Sequence, residues 1–244
     1  MARSVLRGLI VLTALGTTLP ALSAQPPTDG YAQVLKASVK GSKVDYAAVR
    51  AQREKLEKYL ESVAAADPKT LGPDAKAFYI NAYNALVLRQ VLREQDARGG
   101  KLKSVLDVKG FFDAQKHKVA GEELTLNELE EKRIRKAFHD PRVHFAVNCA
   151  SASCPPLAPE PFQAATLDAR LDELTRAYFA TSHGLQVKGA AVSVTKLLEW
   201  YAGDFGGPAG AKDFVVKYAP QKDAAAVKSA TLSFHEYDWA LNAL

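Results

Sequence analysis

His144, Cys149 and Cys154 fall within one short run, Arg-Val-His-Phe-Ala-Val-Asn-Cys-Ala-Ser-Ala-Ser-Cys-Pro-Pro-Leu, from Arg142 to Leu157. It holds both cysteines of the chain, with Ser151 and Ser153 between them. A nucleophilic cysteine needs a thiolate, a base to take or give a proton, and a group that orients the base. Cys149 is the candidate nucleophile, His144 the base, and Asp204 or Asp238 the orienting acid. Amides of the 150–153 loop are candidate donors to an oxyanion. Asn81, Asn84 and Asn148, with Ser151, Ser153 and Cys154, are the polar groups expected around the pocket. Asn81 and Asn84 are three apart in an apolar stretch, and buried amides must find partners. The expectation is that they hold a neighbouring loop, the cysteine loop first.

Other readings use the same residues. Cys149 and Cys154 are close enough in sequence for a local disulfide, which would shape the loop more than stabilise the fold. A metal site could draw on His144, Cys149 and Cys154 with His139 or Asp140, but the spacing matches no recognised ligand pattern. No metal or other cofactor is expected.

These side chains must be positioned by the elements around them. Val143 to Val147 is an apolar run that reads as a buried strand delivering the cysteine loop. In a regular strand His144 and Cys149 face opposite sides, so they converge only if the strand bulges or ends first. Helices are expected at 31–39, at 47–66 and from Pro73 or Asp74 to about Gln95. The last carries apolar and aromatic residues on every face between Phe78 and Leu88, the mark of a central helix. Lys116–Val119 and Glu123–Leu124 fit a hairpin, and Thr125 with Glu128 has capping-box spacing for a helix to Phe138. A helix over 166–181 follows, then strands at 185–187 and 191–194, and a short helix capped by Thr195. Further helices are expected at 212–218 and 221–227, with a last strand at 231–234. Helices dominate, so the class is α+β, a mainly helical single domain around a central buried helix with a small sheet.

The ends and the composition bound the compartment. Arg3 and Arg7, the apolar Leu9 to Leu15 and the small residues Ala21 to Ala24 read as a signal peptide over 1–24. The protein is therefore expected to be periplasmic or secreted, with a mobile Pro-rich leader at 25–30 and one domain at 31–244. The apolar run is shorter than the roughly 20 residues a span needs, so no membrane span is expected. Losing Arg3 and Arg7 from a net charge of +5 leaves +3, with mixed signs. That does not support nucleic-acid binding, which needs a concentrated basic patch. The expected partner is a small-molecule or peptide-like ligand.

Four separated motifs carry a family resemblance. They are Asn81-Ala-Tyr-Asn-Ala-Leu86, the His144–Pro156 stretch, Trp200-Tyr-Ala-Gly-Asp-Phe205 and Tyr237-Asp-Trp-Ala-Leu-Asn242. With Val44-Asp-Tyr46, they make the chain resemble the DUF547 family from about residue 31 onward. The resemblance implies an architecture and a compartment trend, and no reaction. A fold-level analogy is to papain-like and transglutaminase-like proteins, which place a catalytic cysteine at the start of a central helix and a histidine on a following strand. Here the central helix has no cysteine, and the cysteine instead follows His144. Two functions compete. One is an exported thiol-dependent hydrolase or acyl transferase. The other is a non-catalytic periplasmic binding or interaction module stapled by a Cys149–Cys154 disulfide.

Overall fold

Residues 25–244 are described by a computed structural model, so the expected signal peptide at 1–24 lies outside the described residues. Helix α1 (Asp29–Ser38) leads into a hairpin of β1 (Val39–Lys40) and β2 (Lys43–Val44). Its turn uses Gly41 at φ +62°, a conformation glycine adopts without strain. The helix expected over 47–66 is two helices, α2 (Tyr46–Ala51) and α3 (Arg53–Ala65), joined at Gln52. Arg50 and Arg53, one on each side of the joint, both pair with Asp96. Asp45 caps α2 by accepting from the Ala48 amide at 2.9 Å.

Helix α4 (Ala75–Ala97) is the central helix, buried without interruption from Ala77 to Leu88. After it come β3 (His117–Val119) and β4 (Glu122–Leu124), an antiparallel hairpin as expected. The Thr125–Glu128 capping box forms in both directions and opens α5 (Leu126–Glu128). The chain then departs from the expected α-helix. Leu129–Arg135 winds as a π-helix, and only Lys136–Phe138, α6, returns to α geometry. The wider turns change which side chains face inward, and such segments recur at functional sites. Leu129, Glu130 and Ile134 are buried by it.

The strand expected at 143–147 is absent. Pro141–Phe145 is a short 3-10 helix, started by Asp140 accepting from the Arg142 amide at 3.0 Å. Asp followed by Pro is a helix-start signal. An apolar run buried on every side carries no periodicity to tell strand from helix, and here the start signal decides. The cysteine loop follows, then α7 (Leu167–Phe179).

A second sheet region completes the chain. β5 (Leu185–Lys188) and β6 (Ala191–Val194) pair antiparallel. Helices α8 (Leu197–Trp200), α9 (Gly207–Tyr218) and α10 (Gln221–Ser229) then carry the chain back to β7 (Leu232–Phe234), parallel to β6. Helices with three small sheets make the class α+β.

The apolar residues form two clusters. One gathers α1 to α4 with residues from Leu102 to Leu171, and the other gathers Phe145, Tyr178, Phe179, β5, β6 and α8 to α10. Trp239 packs against both. It belongs to a C-terminal strap that runs along the cysteine loop. There the Ala152 amide donates to Ala240 O at 2.7 Å, Ser153 N to Asp238 O at 3.1 Å, and Asn242 N to Ala150 O at 3.0 Å. No helix among the described residues is long and apolar enough to cross a membrane.

Candidate active site

A cavity of about 170 Å³ opens at the seam between the two clusters. Its walls come from separate elements: Tyr83 of α4, Glu130 of the π-helix, His144 of the 3-10 helix, and Cys149 and Cys154 of the loop. Trp200 and Tyr201, at the end of α8, and Tyr237 and Trp239 of the strap close the other side. Because 141–145 is helical, the alternation that would have set His144 and Cys149 on opposite faces does not apply. Both reach the same cavity.

His144 is nearly fully buried. Its Nε2 meets Asp204 Oδ2 at 2.8 Å, and its ring lies 4.1 Å from the Tyr201 ring centroid and 5.4 Å from that of Phe205. Asp204 also accepts from Arg135 Nε at 2.6 Å. The hydrogen bond to His144, then the Arg135 guanidinium, holds the Asp204 carboxyl well below the usual carboxylate range. Arg142, nearer to His144 in sequence, binds Asp140, Asp168 and Asp172 instead. Asp238 does not reach His144. It turns back to accept from its own strap at the Ala240 amide, 2.9 Å away.

The two cysteines are free thiols in the structure, and the cross-link suggested by their spacing is not formed. Cys149 Sγ lies 3.1 Å from Ser151 Oγ and 3.3 Å from the Tyr237 hydroxyl. Burial pushes its thiol up. Hydrogen bonds from the Cys154 thiol, Ser151 and Tyr237 outweigh that and bring it down to about 7. Cys154 moves the opposite way, raised by burial and by the neighbouring Cys149 thiolate. Burial, with the nearby cysteines, also raises Tyr237, which stays protonated and can donate.

The loop amides do not form the expected oxyanion site. The Cys149 amide donates to Cys154 Sγ at 2.8 Å, Ala150 N to Asn148 Oδ1 at 3.0 Å, and Ala152 and Ser153 to the strap. The Ser151 amide donates to the Cys149 sulfur. The hydroxyls of Ser151 and Tyr237 lie beside the thiol, and Ser151 Oγ also donates to the Tyr237 hydroxyl at 3.2 Å.

The asparagines hold backbone. Asn84 accepts from the Asn148 amide and donates to Ala146 O, both at 2.9 Å, clamping the entry to the cysteine loop. Asn148 donates to Pro155 O at 2.8 Å and closes the loop on itself. Asn81 was expected to hold the same loop, but it pairs with the backbone of Phe162, donating and accepting at 2.8 Å. Three residues along a helix turn a side chain through about 300°, enough to give the two asparagines different neighbours. Ser153 faces away, accepting from the Asp238 amide at 2.9 Å and meeting His183 Nδ1 at 3.1 Å.

Glu130, Arg135, Tyr201, Tyr237 and the two tryptophans were not read as site residues. The aromatic ones lie inside motifs already singled out. Glu130 and Arg135 sit in a Glu- and Lys-rich stretch that reads as an ordinary solvated helix face. Asp140 is tied to Lys76 and Arg142, and no three His, Cys, Asp or Glu side chains among the described residues are grouped as metal ligands would be.

Neither a curated protein nor a solved structure matches the chain. Residues 70–179 match the family described as "Protein of unknown function, DUF547". The matched segment includes α4, the π-helix and the cysteine loop, so it carries Glu130, His144, Cys149 and Cys154, while Asp204 and the strap lie beyond it. Over residues 70–179 the chain is therefore similar to the DUF547 family.

Proposed function

We propose that the protein is an exported thiol-dependent hydrolase or acyl transferase, acting on an acyl or peptide-like bond with Cys149 as nucleophile. The observation that carries this reading is the convergence of Cys149 and His144 on one cavity, with Asp204 fixed on His144 Nε2. Asp204 takes Nε2, so the proton work falls to Nδ1. The Cys149 thiolate adds to the acyl carbon, and the charge on oxygen is met by the Tyr237 and Ser151 hydroxyls. The leaving group departs with a proton from the His144 imidazolium. Water or another acceptor then gives its proton to His144 and attacks the thioester, releasing the acyl group and restoring the thiolate. Export rests on the residue pattern of 1–24.

A second reading is a binding module without catalysis. It is favoured by the engagement of the loop amides, which leaves hydroxyls as the oxyanion donors. Iodoacetamide alkylation separates the two. The catalytic reading expects Cys149 to react at pH 6 about 30-fold faster than a thiol with an unperturbed pKa near 8.5. It expects His144→Ala to slow that reaction and Cys154 to react far less. Equal and ordinary rates for both cysteines, reached only after reduction, would overturn it in favour of the binding module.

A further inference from the structure

The cavity wall has a composition that the thiol chemistry does not require. Six aromatic rings line it, from Tyr83, Phe112, Trp200, Tyr201, Tyr237 and Trp239. Three of them form a continuous cluster: Trp200 lies 4.9 Å from Tyr237 and 5.7 Å from Trp239, and Tyr237 lies 4.8 Å from Trp239. Trp200 is exposed, so the cluster opens to solvent. Among the residues lining the cavity, Glu130 is the one carboxylate and there is no lysine or arginine. Glu130 is buried and makes no direct salt bridge among the described residues, although the Arg135 guanidinium is close enough to feel its charge. The Tyr201 hydroxyl, kept protonated by burial and by Glu130, is hydrogen-bonded to it.

A buried glutamate lining the same cavity as several aromatic rings suits a cation. The ring faces attract positive charge, and the carboxylate supplies a counter-charge that aromatic surface alone lacks. An anionic ligand would meet both Glu130 and the Cys149 thiolate. A neutral apolar ligand would cover the rings and leave the Glu130 side chain with Tyr201 as its only partner inside the cavity. Tyr201 already takes a cation on its ring: Arg135 sits 4.4 Å from the centroid, with Asp204 as its counter-ion.

We infer that the substrate carries an aliphatic ammonium group, which sits between Glu130 and the Trp200–Tyr237–Trp239 cluster. This rests on the same cavity as the thiol reading and supplies its substrate class. Trp200 and Trp239 are the two tryptophans of the chain and both line the cavity, so intrinsic fluorescence reports this site.

The test titrates the full chain with n-butylammonium chloride, 1-butanol or sodium butyrate at constant ionic strength. The expected result is a saturable fluorescence change with n-butylammonium and none with the other two at the same concentrations. Glu130→Gln and Trp200→Ala should each weaken the n-butylammonium response about tenfold. Circular dichroism checks that each variant is folded. Trp200→Ala, at an exposed position, carries the test through the Trp239 signal if Glu130→Gln does not fold. An equal response to 1-butanol, or wild-type affinity in either folded variant, overturns the inference. The fluorescence readout needs no reactive thiol. A slow Cys149 in the alkylation assay would therefore sink the nucleophile and leave the ammonium site standing, and a flat titration beside a fast Cys149 would do the reverse.

Discussion

At the scale of single residues, the Cys149 sulfur is stabilised by neutral donors: the Cys154 thiol, the Ser151 hydroxyl and amide, and the Tyr237 hydroxyl. Each favours the thiolate over the thiol, because a hydrogen bond to the charged form lowers the pKa. Since the folded thiol titrates near 7, the alkylation rate should reach half its maximum near that pH and fall as pH drops below it. Tyr237→Phe removes one donor and keeps the ring against Trp200 and Trp239. Its expected effect is a midpoint moved toward the unperturbed thiol, with alkylation about tenfold slower at pH 6 and nearly unchanged at pH 9. A pH profile identical to wild type would show that the Tyr237 hydroxyl does not bear on the thiolate.

Elements bring these residues together through buried amides. Asn84 spans from α4 to the backbone on both sides of Val147, whereas Asn81, on the same helix, serves Phe162. The two positions should therefore behave differently. Asn84→Leu and Asn81→Leu each strand buried backbone groups and should cost about 1–3 kcal/mol per group left unpaired. Both should lower the melting temperature. Only Asn84→Leu should also change the alkylation rate of Cys149, because only Asn84 touches the cysteine loop. The strap offers a parallel test. Asn242 donates to Asn148 Oδ1 at 3.2 Å and accepts from the Tyr46 hydroxyl at 2.8 Å. Asn242→Ala should lower the melting temperature by several degrees and raise Cys149 accessibility, measured by thermal melts and by alkylation. Unchanged accessibility would mean that the strap's backbone bonds alone keep the loop in place.

For the molecule as a whole, the site lies between two apolar clusters that share Trp239 as a packing partner. A cavity at such a seam has walls contributed from both sides, as ligand sites commonly do. If the clusters are one cooperative unit, fluorescence, which reports the seam through Trp200 and Trp239, and far-UV circular dichroism, which reports the helices, should give coincident urea transitions. Trp239→Ala should lower the midpoint for both probes together, with Trp200 supplying the remaining fluorescence. Two resolved transitions would show that the clusters unfold separately and that the cavity exists only while they are docked.

Much of this molecule is legible along the chain. The all-apolar run of α4, the capping box at Thr125 and Glu128, and the hairpins at β3–β4 and β5–β6 are each written in neighbouring residues. Local physics decides them: periodicity, capping and turn chemistry act over a few positions. The Arg142–Leu157 run stood out for the same reason, since its thiols and imidazole are close in sequence. Tertiary structure decided the rest. The 143–147 run is buried on all sides, so its pattern carries no period, and Asp140-Pro141 turned it into a helix. The π-helix places Glu130 at the cavity and Arg135 on Asp204, although both lie in sequence that reads as solvated surface. Asp204 rather than Asp238 meets His144, across 60 residues of chain. The strap that supplies Tyr237 reaches Cys149 from 88 residues away. Such contacts are chosen by how two apolar clusters pack, and packing depends on every element at once, so no local pattern along the chain encodes them.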